Sequence, residues 1–281
     1  MIISQLNGGL GNQMFQYAIG RVISHHNSDN YFLDIDLLSN SQNQDTIREY
    51  ALDVFPIKAS IYSQSKNIVG RNLKRLLYSV RTVREKSFRF DPTIIDSRGS
   101  IILKGFWQSE QYFLSHRELI LRDFVFPSRT SIKNQELLQD IEHSNSISIH
   151  VRRGDYATNP IINKFHGLCD LNYFEKAIEL LKSKVKNPIF YVFSDDPDWC
   201  RQNLKFSNQT VYVSHNLAKN SWEDMRLMSS CQHHIIANSS FSWWGAWLDR
   251  NPEKIVIAPS KWFSDPKIDT RDVVPIGWVR I

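Results

Sequence analysis

The sequence predicts an α/β protein of two doubly wound halves, each built on a parallel sheet, and three observations carry that prediction. The chain opens with a strand–turn–helix–strand unit. A second strand–loop–helix–strand cycle begins at Ile147. Between them, Ser128 to Asn134 is a polar stretch with the composition of a linker. Two such halves facing each other would place a ligand in the cleft between them.

The elements follow in order. Ile2 to Leu6 reads as a strand, Gly8-Gly9-Leu10-Gly11 as a tight turn, and Asn12 to His25 as a helix. Tyr31-Phe32-Leu33 is a second strand that ends at Asp34-Ile35-Asp36. A helical stretch, Gln135 to Ile141, precedes the second half. There Ile147 to Ile149 forms a strand, Leu171 to Leu181 a helix, and Ile189 to Phe193 a buried strand closed by Ser194-Asp195-Asp196-Pro197. Thr210–Val213, His234–Ala237 and Ile255–Ile257 read as further short strands, and Trp222 opens a helix that runs to about Cys231. The halves are taken as 1–137 and 138–281.

At 281 residues, 42% of them apolar, the chain can bury a large core. No window approaches the ~18 consecutive apolar residues that span a bilayer. Met1 to Leu6 carries no basic region followed by a long apolar run, so a cytoplasmic setting is expected. Cys169, Cys200 and Cys231 form no Cys-x-x-Cys pair, which argues against a disulfide framework or a zinc site. The net charge of +5 is uneven: eight basic residues between Lys66 and Arg89 face the single acid Glu85. Leu73, Leu76, Leu77 and Val80 fall at helical spacing there, so the segment reads as a basic helix with an apolar stripe. It is either a solvated helix or one attracted to an anionic membrane surface. Nucleic acid is not expected as a partner, because no aromatic interleaving accompanies the charge.

The segment His150-Val151-Arg152-Arg153-Gly154-Asp155-Tyr156 carries the most chemistry. It follows a short strand, and in open α/β sheets ligands bind beyond the carboxyl ends of strands. Guanidinium is always charged and matches phosphate bidentately, so Arg152 and Arg153 read as a diphosphate clamp, with a solvated basic turn as the plain alternative. Asn238-Ser239-Ser240-Phe241-Ser242-Trp243 offers hydroxyl and backbone N–H donors at a helix start, a favoured anion site, although Ser239 and Ser240 could be simple caps. Asp224, in a helix first turn, is either a dipole-compensating acid or an acceptor for the paired N–H donors of guanine. The glycine-rich turn resembles a dinucleotide fingerprint, but the third glycine falls at Met14. The alternative there is a turn that brings backbone close to a ligand and presents Asn12. Asp34-Ile35-Asp36 and Asp196-Pro197-Asp198 both spell Asp-x-Asp, a pattern too short to assign a metal; no metal is expected, because the arginines can neutralise a diphosphate themselves.

Taken together, Gly8-Gly-Leu-Gly-Asn-Gln-Met-Phe-Gln-Tyr-Ala18, Gly105-Phe-Trp-Gln-Ser-Glu-Gln-Tyr-Phe113, His150-Val-Arg-Arg-Gly-Asp-Tyr156, Ser194-Asp-Asp-Pro197 and Asn238-Ser-Ser-Phe-Ser-Trp-Trp-Gly-Ala246 resemble the α-1,2-fucosyltransferases of glycosyltransferase family 11. Five segments in the family's order make the resemblance specific. It implies a GT-B-like fold of two Rossmann-like domains around a central cleft: an N-terminal, acceptor-side domain and a C-terminal domain that binds GDP-fucose. It implies no cofactor beyond the donor, and inverting transfer from GDP-β-L-fucose to the 2-hydroxyl of a terminal β-galactoside. By the same resemblance, His150, Arg152, Arg153, Asp195, Asp224, Ser239, Ser240 and Phe241 bind the donor, and Asn12 matches an asparagine of a glycine-rich N-terminal loop.

Arg152, Asp155 and Asn12 are the expected catalytic residues, with Asp155 as candidate general base because it shares the arginine loop. A role in surface-polysaccharide synthesis is expected, at the inner face of the inner membrane, with a lipid-linked acceptor and peripheral contact through 66–89. Two other classes remain open: an NAD-dependent oxidoreductase or epimerase built on the first βαβ unit, and a non-enzymatic guanine-nucleotide or glycan-binding module.

Overall fold

The computed structural model describes residues 1–38, 48–62, 80–206 and 208–281; the side chain of Asp155 also lies outside the described groups. The chain divides into two compact units. The first comprises Met1–Pro127 with Arg271–Pro275, the second Ser128–Thr270 with Ile276–Ile281.

In the first unit, β1 (Ile2–Gln5) is followed by α1 (Leu10–Asn27), β2 (Tyr31–Asp34), β3 (Ser60–Tyr62), β4 (Arg81–Arg84), α2 (Pro92–Ile95), β5 (Ile101–Lys104) and α3 (Arg117–Asp123). The strands pair in the order β3-β2-β1-β5-β4, every pair parallel. Ile2 and Ile3 in the central strand are fully buried, and α1 covers the sheet with Met14, Phe15, Ile19, Val22 and Ile23. This helix starts two residues earlier and ends two later than its apolar period marks. His25 and His26 in its last turn suit the negative helix end, and Ser28 closes it at φ 53. Asp123 joins α3 to α1 by accepting from Tyr17 Oη at 2.6 Å and Arg21 Nε at 2.7 Å.

The second unit contains α4 (Ile132–Glu142), β6 (Ser146–Val151), α5 (Gly154–Thr158), α6 (Pro160–His166), α7 (Leu171–Lys184), β7 (Ile189–Ser194), α8 (Pro197–Asn203), β8 (Thr210–Val213), α9 (Trp222–Ser230), β9 (His233–Ile235), α10 (Ser240–Leu248), β10 (Val256–Ala258) and β11 (Val279–Arg280). Its parallel sheet runs β11-β10-β9-β6-β7-β8. All six residues of β6 are buried, as a central strand covered on both faces requires. On one face Tyr173, Phe174, Ala177, Ile178 and Leu181 of α7 pack over Ile147, Ile149 and Val192. Trp243, Trp244 and Trp247 of α10 are also fully buried.

The division between units falls at 127/128 and not at the expected 137/138. The reason lies in α4, which packs on α9: Asn134 Nδ2 donates to Asn216 Oδ1 at 2.9 Å, and Thr130 Oγ1 donates to Glu223 Oε1 at 2.6 Å. The expected basic helix within 66–89 lies mostly outside the described residues, since 63–79 are not described. Its described end is a strand, β4, with Arg81 and Arg84 exposed and Val83 turned inward. No helix among the described residues is long and apolar enough to cross a membrane.

Candidate active site

The arginine pair sits where two parallel strands end side by side. Val151 of β6 is in register with Ser194 of β7. The next residues of each strand, Arg152-Arg153 and Asp195-Asp196, are therefore brought together at the carboxyl edge of the sheet. Arg152 Nη1 pairs with Asp195 Oδ2 at 2.7 Å, and its guanidinium lies 5.2 Å from the centre of the Tyr156 ring. The other carboxylate oxygen of Asp195 accepts the backbone N–H of Arg153 at 2.8 Å. Arg153 Nε is 3.3 Å from Asp196 Oδ2, and its guanidinium lies 4.0 Å over the Trp199 ring. Asp196 also caps α8 by accepting from Trp199 N at 3.1 Å.

These contacts distinguish the two arginines. Arg153 is held by a carboxylate, a capped helix and an indole face. Arg152 is paired with Asp195 and lies beside the Tyr156 ring, and it is about as exposed as Arg153, at 24% against 21%. Asp195, expected on the donor side, here brackets the arginine loop and orients Arg152. Gly154 leaves room for the Asp195 carboxylate, because a Cβ there would lie 2.5 Å from Asp195 Oδ2 and the side chain would have to shift.

His150, the residue before Val151, is buried beside Phe241, with ring centres 5.8 Å apart. Burial pushes its pKa down to about 4, so the imidazole is neutral at pH 7. Its Nδ1 has no hydrogen-bond partner among the described residues. Phe241 reaches this place because β9 pairs with β6 and the chain then passes through Asn238 and Ser239 into α10. Ser239 caps that helix by accepting from Phe241 N at 3.3 Å, so the capping role applies to Ser239 while Ser240 is the first helical residue. Asn238 fixes the neighbouring loop, donating to His166 O at 2.9 Å and Trp262 O at 3.3 Å.

Asp224 belongs to the first turn of α9, after the edge strand β8. Asn216 Nδ2 donates to it at 2.8 Å, and Asn216 is in turn tied to Asn134. Burial raises the pKa of Asp224 to about 7, with the adjacent Glu223 adding repulsion. Asp155 lies in α5 directly after Gly154; its side chain is outside the described groups.

Asn12 belongs to the first unit, in the first turn of α1, where its Oδ1 accepts from Gln108 Nε2 at 2.9 Å. Met14, at the position of the third fingerprint glycine, is fully buried. Asp34 accepts from Gln5 Nε2 at 3.2 Å and from Asp36 N at 3.0 Å, which explains that Asp-x-Asp as a local turn. In the other, Asp196 is a cap and Asp198 pairs with Arg201 at 2.8 Å. A cavity of about 540 Å³ lined by Arg21, His25, Asn30 and Lys58 lies at the amino ends of β2 and β3. That is the wrong sheet edge for ligand chemistry in this architecture.

Sequence reasoning missed the residues beside the arginine loop in the second unit, Tyr156 and Trp199, and those around Asn12 in the first, Gln108 and Glu85. Two signals were readable. Trp199 stands three residues after Asp196, the spacing of an N-cap. Glu85 is the lone acid in a run of bases, an anomaly that pointed inward.

The family model described as Glycosyl transferase family 11 matches residues 1–281. An alpha-1,2-colitosyltransferase of Escherichia coli is 38% identical over 100% of this chain and 99% of its own length. The O-antigen biosynthesis glycosyltransferase WbnK, also of Escherichia coli, is 34% identical over 93% of this chain and 94% of its own. Among solved structures, the NodZ alpha-1,6-fucosyltransferase soaked with GDP-fucose superposes with a TM-score of 0.51 at 16% identity, covering 88% of this chain and 91% of that one. That likeness is one of fold, and it makes the two parallel units GT-B-like. The nicotinamide reading gives way, as the glycine-rich turn belongs to a transferase that matches from end to end. The chain is a glycosyltransferase and belongs to glycosyltransferase family 11.

Proposed function

We propose that the protein moves L-fucose from GDP-β-L-fucose to the 2-hydroxyl of a terminal β-galactoside with inversion. The observation that carries the reading is the bracketed arginine loop, in which Asp195 aims Arg152 at the carboxyl edge of the second sheet. Cleavage of the C1–O bond builds charge on the leaving diphosphate. A cation already oriented before reaction stabilises that charge without reorganising. Arg152 supplies it, Arg153 supports the loop, and no metal is needed for the neutralisation. His150 and Phe241 contact the nucleotide, Asp224 accepts from guanine, and the hydroxyls of Ser239 and Ser240 donate to phosphate. Asp155 takes the proton of the attacking hydroxyl, and the departing diphosphate assists.

The relative at 38% identity favours one second reading, in which the donor is GDP-colitose. Colitose is 3-deoxy-L-fucose, so the same clamp and guanine contact would serve, and only the sugar pocket would differ. The 34% relative is named for O-antigen biosynthesis and supports a place in that assembly; a lipid-linked acceptor at the inner face of the inner membrane belongs to the same proposal. Salt-sensitive binding to anionic liposomes tests the membrane contact through 66–89.

The experiment is a donor and acceptor panel: GDP-fucose, GDP-colitose and GDP-mannose against β-galactosides, with products identified by mass and linkage analysis. An α-1,2-linked 6-deoxyhexosyl product is expected. Transfer to a different hydroxyl, or no transfer from the two deoxysugar donors, counts against the reading.

A further inference from the structure

The first unit carries a polar cluster that the arginine loop does not account for. Gln108 is only 8% exposed, and its Nε2 donates to Asn12 Oδ1 at 2.9 Å. Its Oε1 has no hydrogen-bond partner among the described residues. A buried amide oxygen without a donor is costly, so native structures keep few of them. Asn12 places this pair at the amino end of α1, an 18-residue helix whose cap residue Gly9 supplies no side chain.

The surroundings hold Gln108 in this position. Glu85 accepts two successive backbone N–H groups, from Phe106 at 2.7 Å and Trp107 at 2.9 Å. Trp107 is 1% exposed and sits at φ 59, a left-handed conformation that a bulky residue keeps only when its surroundings enforce it. Gly105 must be a glycine, because a Cβ there would lie 2.4 Å from Glu85 Cβ. Gln16 adds a third tie by donating to Gly105 O at 3.1 Å.

The chemistry of the pair selects its ligand. An acceptor oxygen repels phosphate and carboxylate oxygens and requires an O–H or N–H donor. The adjoining Asn12 amide carries N–H donors, and neither residue is charged. Two neighbouring hydroxyls on a sugar ring satisfy both, one donating to Gln108 Oε1 and the other accepting from Asn12 Nδ2.

We propose that Gln108, together with Asn12, forms a subsite for vicinal hydroxyls of the acceptor galactose, and that Glu85 is the positioning residue that holds it. The proposal rests on the galactoside reading above and names the residues that recognise the acceptor.

The test uses the full chain with GDP present and ligand-observed NMR of methyl β-D-galactopyranoside and its 3-deoxy and 4-deoxy analogues. The wild type is expected to bind the parent sugar and to bind one deoxy analogue about tenfold more weakly. Gln108→Leu should bind the parent about tenfold more weakly, and its preference for parent over analogue should vanish, while its GDP affinity by calorimetry stays within about twofold. Glu85→Gln should raise acceptor KM while kcat is largely kept, and Glu85→Ala should raise it further. The proposal is overturned if the wild type binds no galactoside or binds all three alike. It is equally overturned if Gln108→Leu keeps the discrimination or loses GDP in parallel. Binding without transfer by the wild type would overturn the fucosyltransferase reading and leave the subsite standing.

Discussion

Asp224 stands in the first turn of α9, where burial raises its pKa to about 7 although Asn216 donates to it at 2.8 Å. A carboxyl can accept the N–H pair of guanine only when ionised. Since kcat/KM reports the free enzyme, its value for the donor should fall about tenfold per pH unit below pH 7. Asp224→Asn should lower kcat/KM and flatten that slope. The same group costs the fold stability. With its folded pKa above the unfolded value of about 3.9, it favours the folded state at low pH, and that contribution is lost as pH rises through 7. Asp224→Asn should therefore raise Tm at pH 8 while weakening the donor, measured by thermal melts beside the rate profile. An acid at a helix start was visible in the sequence. Its raised pKa was not, because the burial that causes it arises only on folding.

At the scale of elements, the site depends on the register between β6 and β7. Gly154→Ala puts a methyl 2.5 Å from Asp195 Oδ2 and must displace the carboxylate that orients Arg152. A fall of about 10- to 100-fold in kcat/KM is expected with Tm nearly unchanged, since a misaimed donor costs rate more than stability. Rates within twofold of wild type would show that Asp195 does not orient the arginine. The strands that build this edge were legible because β6, β7 and β8 are short apolar runs of β-branched and aromatic residues ending in polar turns. The edge strands β3 and β4 were not. Ser60-Ile61-Tyr62 and Arg81-Thr82-Val83-Arg84 bury one residue each and read as loop or helix until paired. The start of α10 was legible only to within a residue, since Ser239 and Ser240 both read as caps and the capping residue is Ser239.

At the scale of the molecule, a buried chain of side chains ties the second sheet to the helix that covers it. His234 of β9 meets Ser148 Oγ of β6 through Nδ1 at 2.8 Å, and Asp249 at the end of α10 through Nε2 at 3.0 Å. All three are buried, so the chain braces the fold and offers no nucleophile to solvent. Burial lowers the pKa of His234, so the folded state holds it neutral while the unfolded chain takes up a proton below about pH 6.5. Removing it with His234→Ala should cost about 2–5 kcal/mol at pH 8 in urea unfolding. The difference from wild type should shrink as pH falls below about 6.5, because only the wild type pays for excluding that proton. A difference that grows as pH falls would mean the imidazole is charged inside, and a pH-independent one that folding does not shift its pKa. Two parallel α/β units were readable from the chain, because a βαβ pattern repeats on either side of a polar stretch. The wiring by buried Gln13, Gln16, Asp249 and His234 was not, since polar residues give no periodic signal when they serve the core. The claim on which the functional account rests is that Arg152 stabilises the leaving diphosphate. Its most direct test is GDP release from GDP-fucose with a β-galactoside by Arg152→Ala. A loss of about 10²–10³ in kcat at an unchanged Tm is expected. A folded Arg152→Ala protein that turns over at the wild-type rate would contradict it.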